Sequence, residues 1–221
     1  MDPRRLRARG HLQHGPRLGL RRVGRARDRH LVPRAVLSVT LASGSPQRRE
    51  LLDKLGVEFH VVVPGVEELT GGDPELEVVE NARLKAAAVE RGGVVIACDT
   101  DVVLDGKALG KPADEPEARG YLERMSGRPH LVMSGLVVLG AEGERSGIER
   151  TTVTFKELSE AEIERYVRFG EWRGRSGGYA IQTLGSTLVE RVEGSVSNVV
   201  GLPVGLLAEL APELLERGST A

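Results

Sequence analysis

The chain has 221 residues, of which 40% are hydrophobic, 29% charged and only 3% aromatic, which is typical of a globular protein with an aliphatic core. No apolar run approaches the roughly 18 to 20 residues that cross a bilayer, so the sequence predicts no membrane-spanning helix. The single cysteine, Cys98, excludes an intrachain disulfide. It lies in the apolar run 94–98, where a small buried side chain is a stronger interpretation than a catalytic thiol.

Charge is distributed unevenly along the chain. Residues 1–36 contain 11 arginines against two acidic residues, a formal charge of +9. The remaining residues contain 20 lysines and arginines against 30 acidic residues, a formal charge of −10. Because the first segment lacks apolar periodicity, we expect it to be disordered, with one folded domain over 37–221. A phosphate-binding arm, an organelle-targeting peptide and a non-native extension remain open for 1–36, and we favour the extension.

A strand followed by a capped helix is predicted where the folded region starts. Residues 36–41 alternate in the manner of a half-buried strand. Ser45 is a suitable N-cap, Pro46 fits the first helical position, and Gly56 supplies a stop. Because a helix N-terminus carries unpaired N–H groups, residues 43–49 predict an anion site. An ordinary capped helix with solvated arginines is an equally good interpretation.

Strands and helices then alternate without a linker. The predicted elements are a strand over 59–63, a helix over 74–91, a buried strand over 94–98, a hairpin of 102–104 with 107–109, a helix over 115–125, paired strands over 130–139 and 148–155, a helix over 159–170, short strands over 179–181 and 188–192, and a last helix after Pro203. Alternation of this kind predicts an α/β fold with a mixed sheet.

Candidate chemistry is predicted in loops at strand ends. Asp99 and Thr100 directly follow the buried strand, where α/β proteins usually bind ligands. A carboxylate there can hold Mg²⁺ or deprotonate a water, although a turn residue that starts the hairpin is the simpler interpretation. Lys85, beside small residues of its helix, is an unusual choice for a core position unless it meets an anion. Lys111 alone is more typical of an ordinary surface lysine, and the Gly- and Ser-rich run 174–182 offers cations and amide donors.

Several well-known motifs are absent from the sequence. Neither a Walker-type phosphate loop nor a dinucleotide-binding glycine fingerprint follows a predicted strand. The spacing of histidines and the cysteine predicts no zinc site, and no nucleophile elbow is found.

The ordered motifs of the chain resemble one family, the Maf nucleoside triphosphate pyrophosphatases. The matching segments are residues 41–49 (LASGSPQRR), 67–68 (EE), 84–86 (LKA), 99–100 (DT), 110–112 (GKP), 126–130 (SGRPH), 177–182 (GGYAIQ) and 198–203 (NVVGLP). They cover about residues 37–215. The resemblance implies an elongated mixed sheet flanked by helices, with a cleft between two lobes. It also implies a cytoplasmic homodimer that uses a divalent cation, Mg²⁺ or Mn²⁺, to hydrolyse nucleoside triphosphates to the monophosphate and pyrophosphate.

Matching positions imply individual roles. Asp99 is implied as the catalytic proton acceptor, and Asp99 with Glu68 as the metal ligands. Glu68, Lys85 and Lys111 match further active-site positions. The implied substrate-binding and specificity residues are Ser43, Ser45, Gln47, Arg48, Thr100 and Gln182. The pairing of Thr100 with Gln182 resembles the branch that acts on dTTP and UTP rather than the branch that acts on 7-methyl-GTP.

The sequence also departs from the family pattern. Gln47 stands where the dTTP/UTP branch usually has Arg, residues 175–177 read Arg-Ser-Gly instead of Lys-Ala-Gly, and Thr183 replaces a Gly. A preference for 7-methyl-GTP or another base therefore stays open. Two other classes of function compete with the enzyme: a non-catalytic nucleotide sensor that regulates septum formation, and a nucleic-acid binder acting through the Arg-rich segment. The second ranks last, since the folded part lacks aromatic stacking platforms, and we expect no specific nucleic-acid partner.

Overall fold

The computed structural model describes residues 38–90 and 92–216, so the Arg-rich segment 1–36 and its three interpretations lie outside the described residues. Seven strands form one mixed sheet in the order β2-β1-β3-β5-β6-β7, with β4 paired to β3. The strands are β1 (Val39–Ala42), β2 (His60–Val62), β3 (Val94–Leu104), β4 (Lys107–Ala108), β5 (Pro129–Gly140), β6 (Gly143–Phe155) and β7 (Val189–Glu193). The predicted α/β fold with a mixed sheet is confirmed.

Helices flank this sheet. They are α1 (Pro46–Lys54), α2 (Pro74–Ala87), α3 (Glu115–Met125), α4 (Glu160–Phe169), α5 (Val196–Val200), α6 (Val204–Leu210) and α7 (Pro212–Leu215), with 3₁₀ turns at Ser176–Gly178 and Leu184–Thr187. The two predicted N-caps are confirmed: Ser45 accepts from the backbone N–H of Arg48, and Ser159 forms a capping box with Glu162. Across the described part of the chain, no helix is long and apolar enough to cross a membrane.

In the part of the chain that the structure describes, one edge of β3 is left without a paired strand over part of its length, and we call this stretch the gap. β1 pairs in parallel with β3 only over Val94–Ile96, and β4 pairs with β3 only at Val103 and Leu104. Between these contacts, residues 97–102 of β3 have a strand neighbour, among the described residues, only on the β5 side. The open edge leaves the middle of β3 accessible to ligands.

The predicted end of the buried strand before Asp99 is wrong. Asp99 and Thr100 do not follow a strand but lie in the middle of β3, paired with Gly135 and Ser134 of β5. The reason is that β3 continues along β5 after β1 has turned away into α1. Asp99 nevertheless lies just past the parallel part of the sheet, which is the topological position that favours ligand binding.

Other boundaries differ from prediction as well. Residues 179–181 form no strand, because Gly177 and Gly178 adopt φ angles of 68° and 70° and turn the chain before it can pair. Helix α2 ends at Ala87 rather than at 91, and the last helix is divided into α6 and α7. The Asp105-Gly106 hairpin is confirmed, with positive φ at both residues.

The apolar core lies on both sides of the gap. One cluster gathers around α3 and α4, and a second around α1 and α6. A third cluster is built from small side chains, with Ala82 and Ala86 of α2 packed on Val95 and Ala97 of β3. Small residues let α2 lie close to the sheet, and this closeness positions the site.

Candidate active site

The alternation of side chains along β3 sends neighbouring polar groups to opposite faces of the sheet. Val95 and Ala97 pack against α2, so Asp99 and Asp101 continue that face. Cys98 and Thr100 point to the α1 side. A cavity of about 790 Å³ opens at the gap and reaches residues of both faces. Its size suits a nucleotide-sized ligand.

A buried network surrounds Asp99. Lys85 Nζ donates to Asp99 Oδ1 at 2.6 Å and lies 2.6 Å from Glu68 Oε1. Asn81 Nδ2 donates to Asp99 Oδ2 at 3.0 Å. Lys85 and Asp99 are each 7% exposed, whereas the Glu68 side chain is 36% exposed. The prediction that Lys85 meets an anion is confirmed, and its single charge compensates two carboxylates.

Asn81 is a site residue that the sequence analysis missed. It is buried, and besides contacting Asp99 it exchanges two hydrogen bonds with the backbone of Leu69, at 2.7 and 3.1 Å. Glu68 precedes Leu69, so the side-chain amide of Asn81 holds both Asp99 and the loop that carries Glu68. Its spacing of four residues from Lys85 places both on one face of α2, a signal present in the sequence.

Gly135 explains how α2 comes so close. It lies opposite Asp99 in β5, on the face that α2 covers. A Cβ at this position would lie 2.2 Å from the backbone oxygen of Val78 in α2. The missing side chain therefore lets α2 approach the sheet at the level where Asn81 and Lys85 reach Asp99.

Arg48 organises the opposite face. Its guanidinium donates to Ser43 Oγ at 3.1 Å, to Thr100 Oγ1 at 3.1 Å and to the carbonyl oxygen of Gly201 at 2.7 Å. Thr100 Oγ1 also lies 2.8 Å from Ser134 Oγ. The structure thus brings Ser43, Arg48 and Thr100 together, and Thr100 supports the arginine directly.

The segment after β7 holds Gly201 in place. Asn198 is fully buried, and its amide donates to the carbonyl oxygen of Val132 and to Thr151 Oγ1, both at 3.0 Å. Cys98 is also fully buried, and its thiol contacts the Gly201 carbonyl oxygen at 3.4 Å. Burial raises the pKa of this thiol, which fits the predicted packing role.

The remaining predicted site residues occupy different places. Ser45 and Gln47 line the cavity, and the Ser45 hydroxyl donates to Gln47 Oε1 at 3.1 Å. Lys111 also lines it, with a side chain 59% exposed and Nζ 3.7 Å from Glu68 Oε2. Gln182 is exposed and is not among the lining residues. Its role in specificity stays a prediction.

A second acidic side chain on β3 faces the cavity. The pKa of Asp101 is raised above its usual value, mainly because the side chain is buried. The nearby carboxylates of Asp99, Glu68 and Glu77 raise this pKa further. The Ser176 hydroxyl, which donates to Asp101 at 2.9 Å, opposes the shift. Despite these carboxylates, no group of three or more His, Cys, Asp or Glu side chains in the described ranges is arranged to hold a metal ion.

Comparison with known proteins places the chain in a family. The sequence model of the family described as Maf-like protein matches residues 38–214. A dTTP/UTP pyrophosphatase of Deinococcus radiodurans is 50% identical over 78% of this chain and 90% of its own length. Proteins of the same name from Pelotomaculum thermopropionicum and Thermus thermophilus are 44% and 47% identical, over 78% and 74% of this chain and 94% and 88% of their own lengths. The chain therefore belongs to the Maf-like protein family.

Proposed function

We propose that this chain is a nucleoside triphosphate pyrophosphatase that converts dTTP and UTP to the monophosphate and pyrophosphate. The observation that carries the proposal is the buried Asp99, held by Lys85 and Asn81 at the gap in the sheet, in a cavity lined by further cations. Relatives 44–50% identical that are named dTTP/UTP pyrophosphatases support the same reaction.

Asp99 is suited to accept a proton from the attacking water. Each of its oxygens receives one hydrogen bond from the protein, and a carboxylate oxygen can accept a second. In the proposed step, the water oxygen bonds to the α-phosphorus while the bond to the bridging oxygen breaks. The electron pair leaves with pyrophosphate, and the water proton passes to Asp99.

Cationic groups supply the charge that the phosphates require. Arg48 stands at the N-terminus of α1, where its hydrogen bonds with Ser43 and Thr100 hold the guanidinium in one orientation. Lys111 reaches the cavity from the loop after β4. Positively charged donors fixed before the substrate arrives stabilise negative charge that develops on the leaving group.

The residues present fit a divalent cation that arrives with the nucleotide. Mg²⁺ is usually bound by one or two carboxylates together with substrate phosphates, so the absence of a three-ligand cluster in the described residues is no obstacle. Glu68 and Asp99, both within 2.6 Å of Lys85 Nζ, would hold Mg²⁺ or Mn²⁺. The bound cation would withdraw charge from the phosphate oxygens.

Base preference, assembly and location complete the proposal. The preference for pyrimidine triphosphates rests on the pairing of Thr100 with Gln182 and on the names of the relatives. We further propose a homodimer in the cytoplasm, where a free buried Cys98 fits a reducing environment.

A panel of triphosphates tests the function. Purified protein is incubated with dTTP, UTP, dCTP, dATP, GTP and 7-methyl-GTP in the presence of Mg²⁺ or Mn²⁺, and pyrophosphate and orthophosphate are measured separately. We expect pyrophosphate, with dTTP and UTP as the fastest substrates. Orthophosphate as the only inorganic product would refute the reaction, and faster turnover of 7-methyl-GTP would refute the base preference.

The Asp99→Asn variant distinguishes the enzyme from a nucleotide sensor. Loss of a general base typically costs about 10²- to 10⁴-fold, so kcat should fall by that factor while nucleotide binding persists. Binding without turnover in the wild-type protein, under every metal tested, would instead favour the sensor.

A further inference from the structure

One cationic side chain in the cavity has no partner among the residues that the structure describes. Five cationic side chains line the cavity: Arg48, Lys85, Lys111, Arg173 and Arg175. Arg173 pairs with Glu115 at 3.2 Å and lies over the ring of Trp172. The guanidinium of Arg175 makes no hydrogen bond or ion pair with any other described residue, and its Nε is buried. The two terminal nitrogens are not among the buried unpartnered atoms, so an anion in the cavity can reach them and supply the acceptors that the guanidinium lacks.

The loop that carries Arg175 is held firmly. The neighbouring Ser176 hydroxyl donates to Asp101 Oδ1 at 2.9 Å and accepts from the backbone N–H of Val102 at 3.0 Å. Gly177 has a φ of 68°, and a Cβ there would lie 2.7 Å from the Val102 side chain. This close approach fixes the loop on β3, so the backbone that carries the arginine needs no ordering when a ligand binds.

The same loop is joined to the one that carries Lys111. The backbone N–H of Gly177 donates to the carbonyl oxygen of Gly110 at 2.7 Å. Lys111 follows Gly110 directly, so this hydrogen bond joins the two loops that carry Arg175 and Lys111, and both side chains line the cavity. Glu68, at 3.7 Å from Lys111, already faces Lys85 and cannot neutralise both loop cations.

We propose that Arg175, together with Lys111, binds the β- and γ-phosphates, the part of the substrate that leaves as pyrophosphate. The inference rests on the proposed function and adds a substrate-binding residue to it. A guanidinium presents two parallel N–H donors that match a phosphate group. Asp99, beside which the bond between the α- and β-phosphates would break, lies on β3, whereas Arg175 and Lys111 lie on loops. The β- and γ-phosphates carry most of the negative charge of the triphosphate, so this end of the substrate is the part that two such cations fit.

The affinities for the two reaction products distinguish binding of the β- and γ-phosphates from binding of the nucleoside monophosphate. Binding of inorganic pyrophosphate and of thymidine monophosphate is measured by titration calorimetry, alongside KM and kcat for dTTP. A hydrogen bond to a charged group is typically worth about 10- to 100-fold in affinity. We therefore expect Arg175→Gln to raise the Kd of pyrophosphate and the KM of dTTP by this factor, and to leave the Kd of thymidine monophosphate within about twofold.

Two further variants complete the experiment. Arg168→Gln, on α4, is already paired with Glu164 and does not line the cavity, so it should change neither affinity by more than about twofold. Arg175→Lys keeps the charge but loses the paired donors, so we expect a smaller loss of about three- to tenfold. This variant decides the question if Arg175→Gln does not fold.

Three results would overturn the inference. The first is an unchanged pyrophosphate affinity in both Arg175 variants. The second is an equal loss for pyrophosphate and thymidine monophosphate, which would place Arg175 on the nucleoside or the α-phosphate. In both cases an active wild-type protein leaves the proposed function intact. The third, a wild-type protein that releases pyrophosphate from no triphosphate, would contradict the proposed function itself.

Discussion

Acid should destabilise this protein through one buried histidine. His130 is 3% exposed and packs edge-on against the rings of Phe155 and Tyr179. Its Nε2 lies 2.8 Å from the Tyr179 hydroxyl, while Nδ1 is buried without a hydrogen-bond partner. A second proton on this ring would place a positive charge among aromatic side chains, with no acceptor to receive it.

Burial lowers the pKa of His130 from 6.5 to about 4. Between these pH values the unfolded chain binds a proton that the folded protein does not, so stability falls as the pH decreases from 6.5 towards 4. A tenfold change in proton affinity is worth about 1.4 kcal/mol, which gives a total loss of about 3 kcal/mol below pH 4. Between pH 7 and pH 4.5 the loss should be about 2 kcal/mol.

Urea unfolding of the wild-type protein and of His130→Gln at these two pH values measures the effect. The single tryptophan, Trp172, is buried and reports unfolding by fluorescence. Carboxylates titrate in the same range, but they contribute equally to both proteins and cancel in the comparison. We expect the wild-type protein to lose about 2 kcal/mol more than the variant between pH 7 and pH 4.5.

Equal losses in the two proteins would refute this reasoning. That result would mean that the folded protein accommodates the charged imidazole, for example through water at Nδ1. A lower stability of His130→Gln than of the wild-type protein at both pH values does not by itself refute the reasoning. Loss of the hydrogen bond to Tyr179 lowers stability independently of pH.

Two substitutions test the site, and one truncation tests the N-terminal boundary of the folded domain. Asn81→Ala should lower kcat for dTTP about 10²-fold, since Asp99 loses one donor and the adjoining loop loses two hydrogen bonds; unchanged turnover would refute its positioning role. Gly135→Ala should destabilise the protein by about 1–3 kcal/mol in urea unfolding and reduce turnover, because a Cβ there meets α2. Gly140→Ala, in the same strand with 3.9 Å of space, is the matched control, and equal effects would exclude this explanation. Removal of residues 1–35 should preserve turnover and abolish salt-sensitive retention on DNA; lost turnover would show that the segment supports the folded domain.

The sequence predicts the position of Asp99 better than its surroundings. Asp99 and Thr100 are polar and follow the apolar run 94–98, and this change of residue type identifies the end of the parallel part of the sheet. They do not show that β3 continues, because Thr100 and Asp101 are polar and resemble a loop. Pairing with β5 makes this segment a strand, and that pairing joins residues 28 to 44 positions apart in the sequence. Local patterns contain no information about such a partner.

Other features depend on contacts between distant segments. The short strand predicted over 179–181 does not form because Gly177 and Gly178 turn the chain before it, and Tyr179 packs its side chain against Phe155 and His130. Gly135 reads as an ordinary residue of an apolar strand until α2 is placed over it. Asn81, by contrast, was predictable, since its helical spacing from Lys85 already placed an amide beside a lysine that was expected in the core only if it meets an anion.

The location of Asp99 inside a strand has a consequence for how this family can change. The groups proposed to break the bond stand on β3 and α2, which are fixed by the sheet and by the packing of small residues. The groups proposed to contact the rest of a nucleotide, such as Arg175 and Gln47, come from loops and a helix terminus. Substitutions in these segments can alter which nucleotide is accepted without disturbing the reacting groups. Divergence in substrate range at constant chemistry is therefore the evolutionary path that this architecture makes easiest.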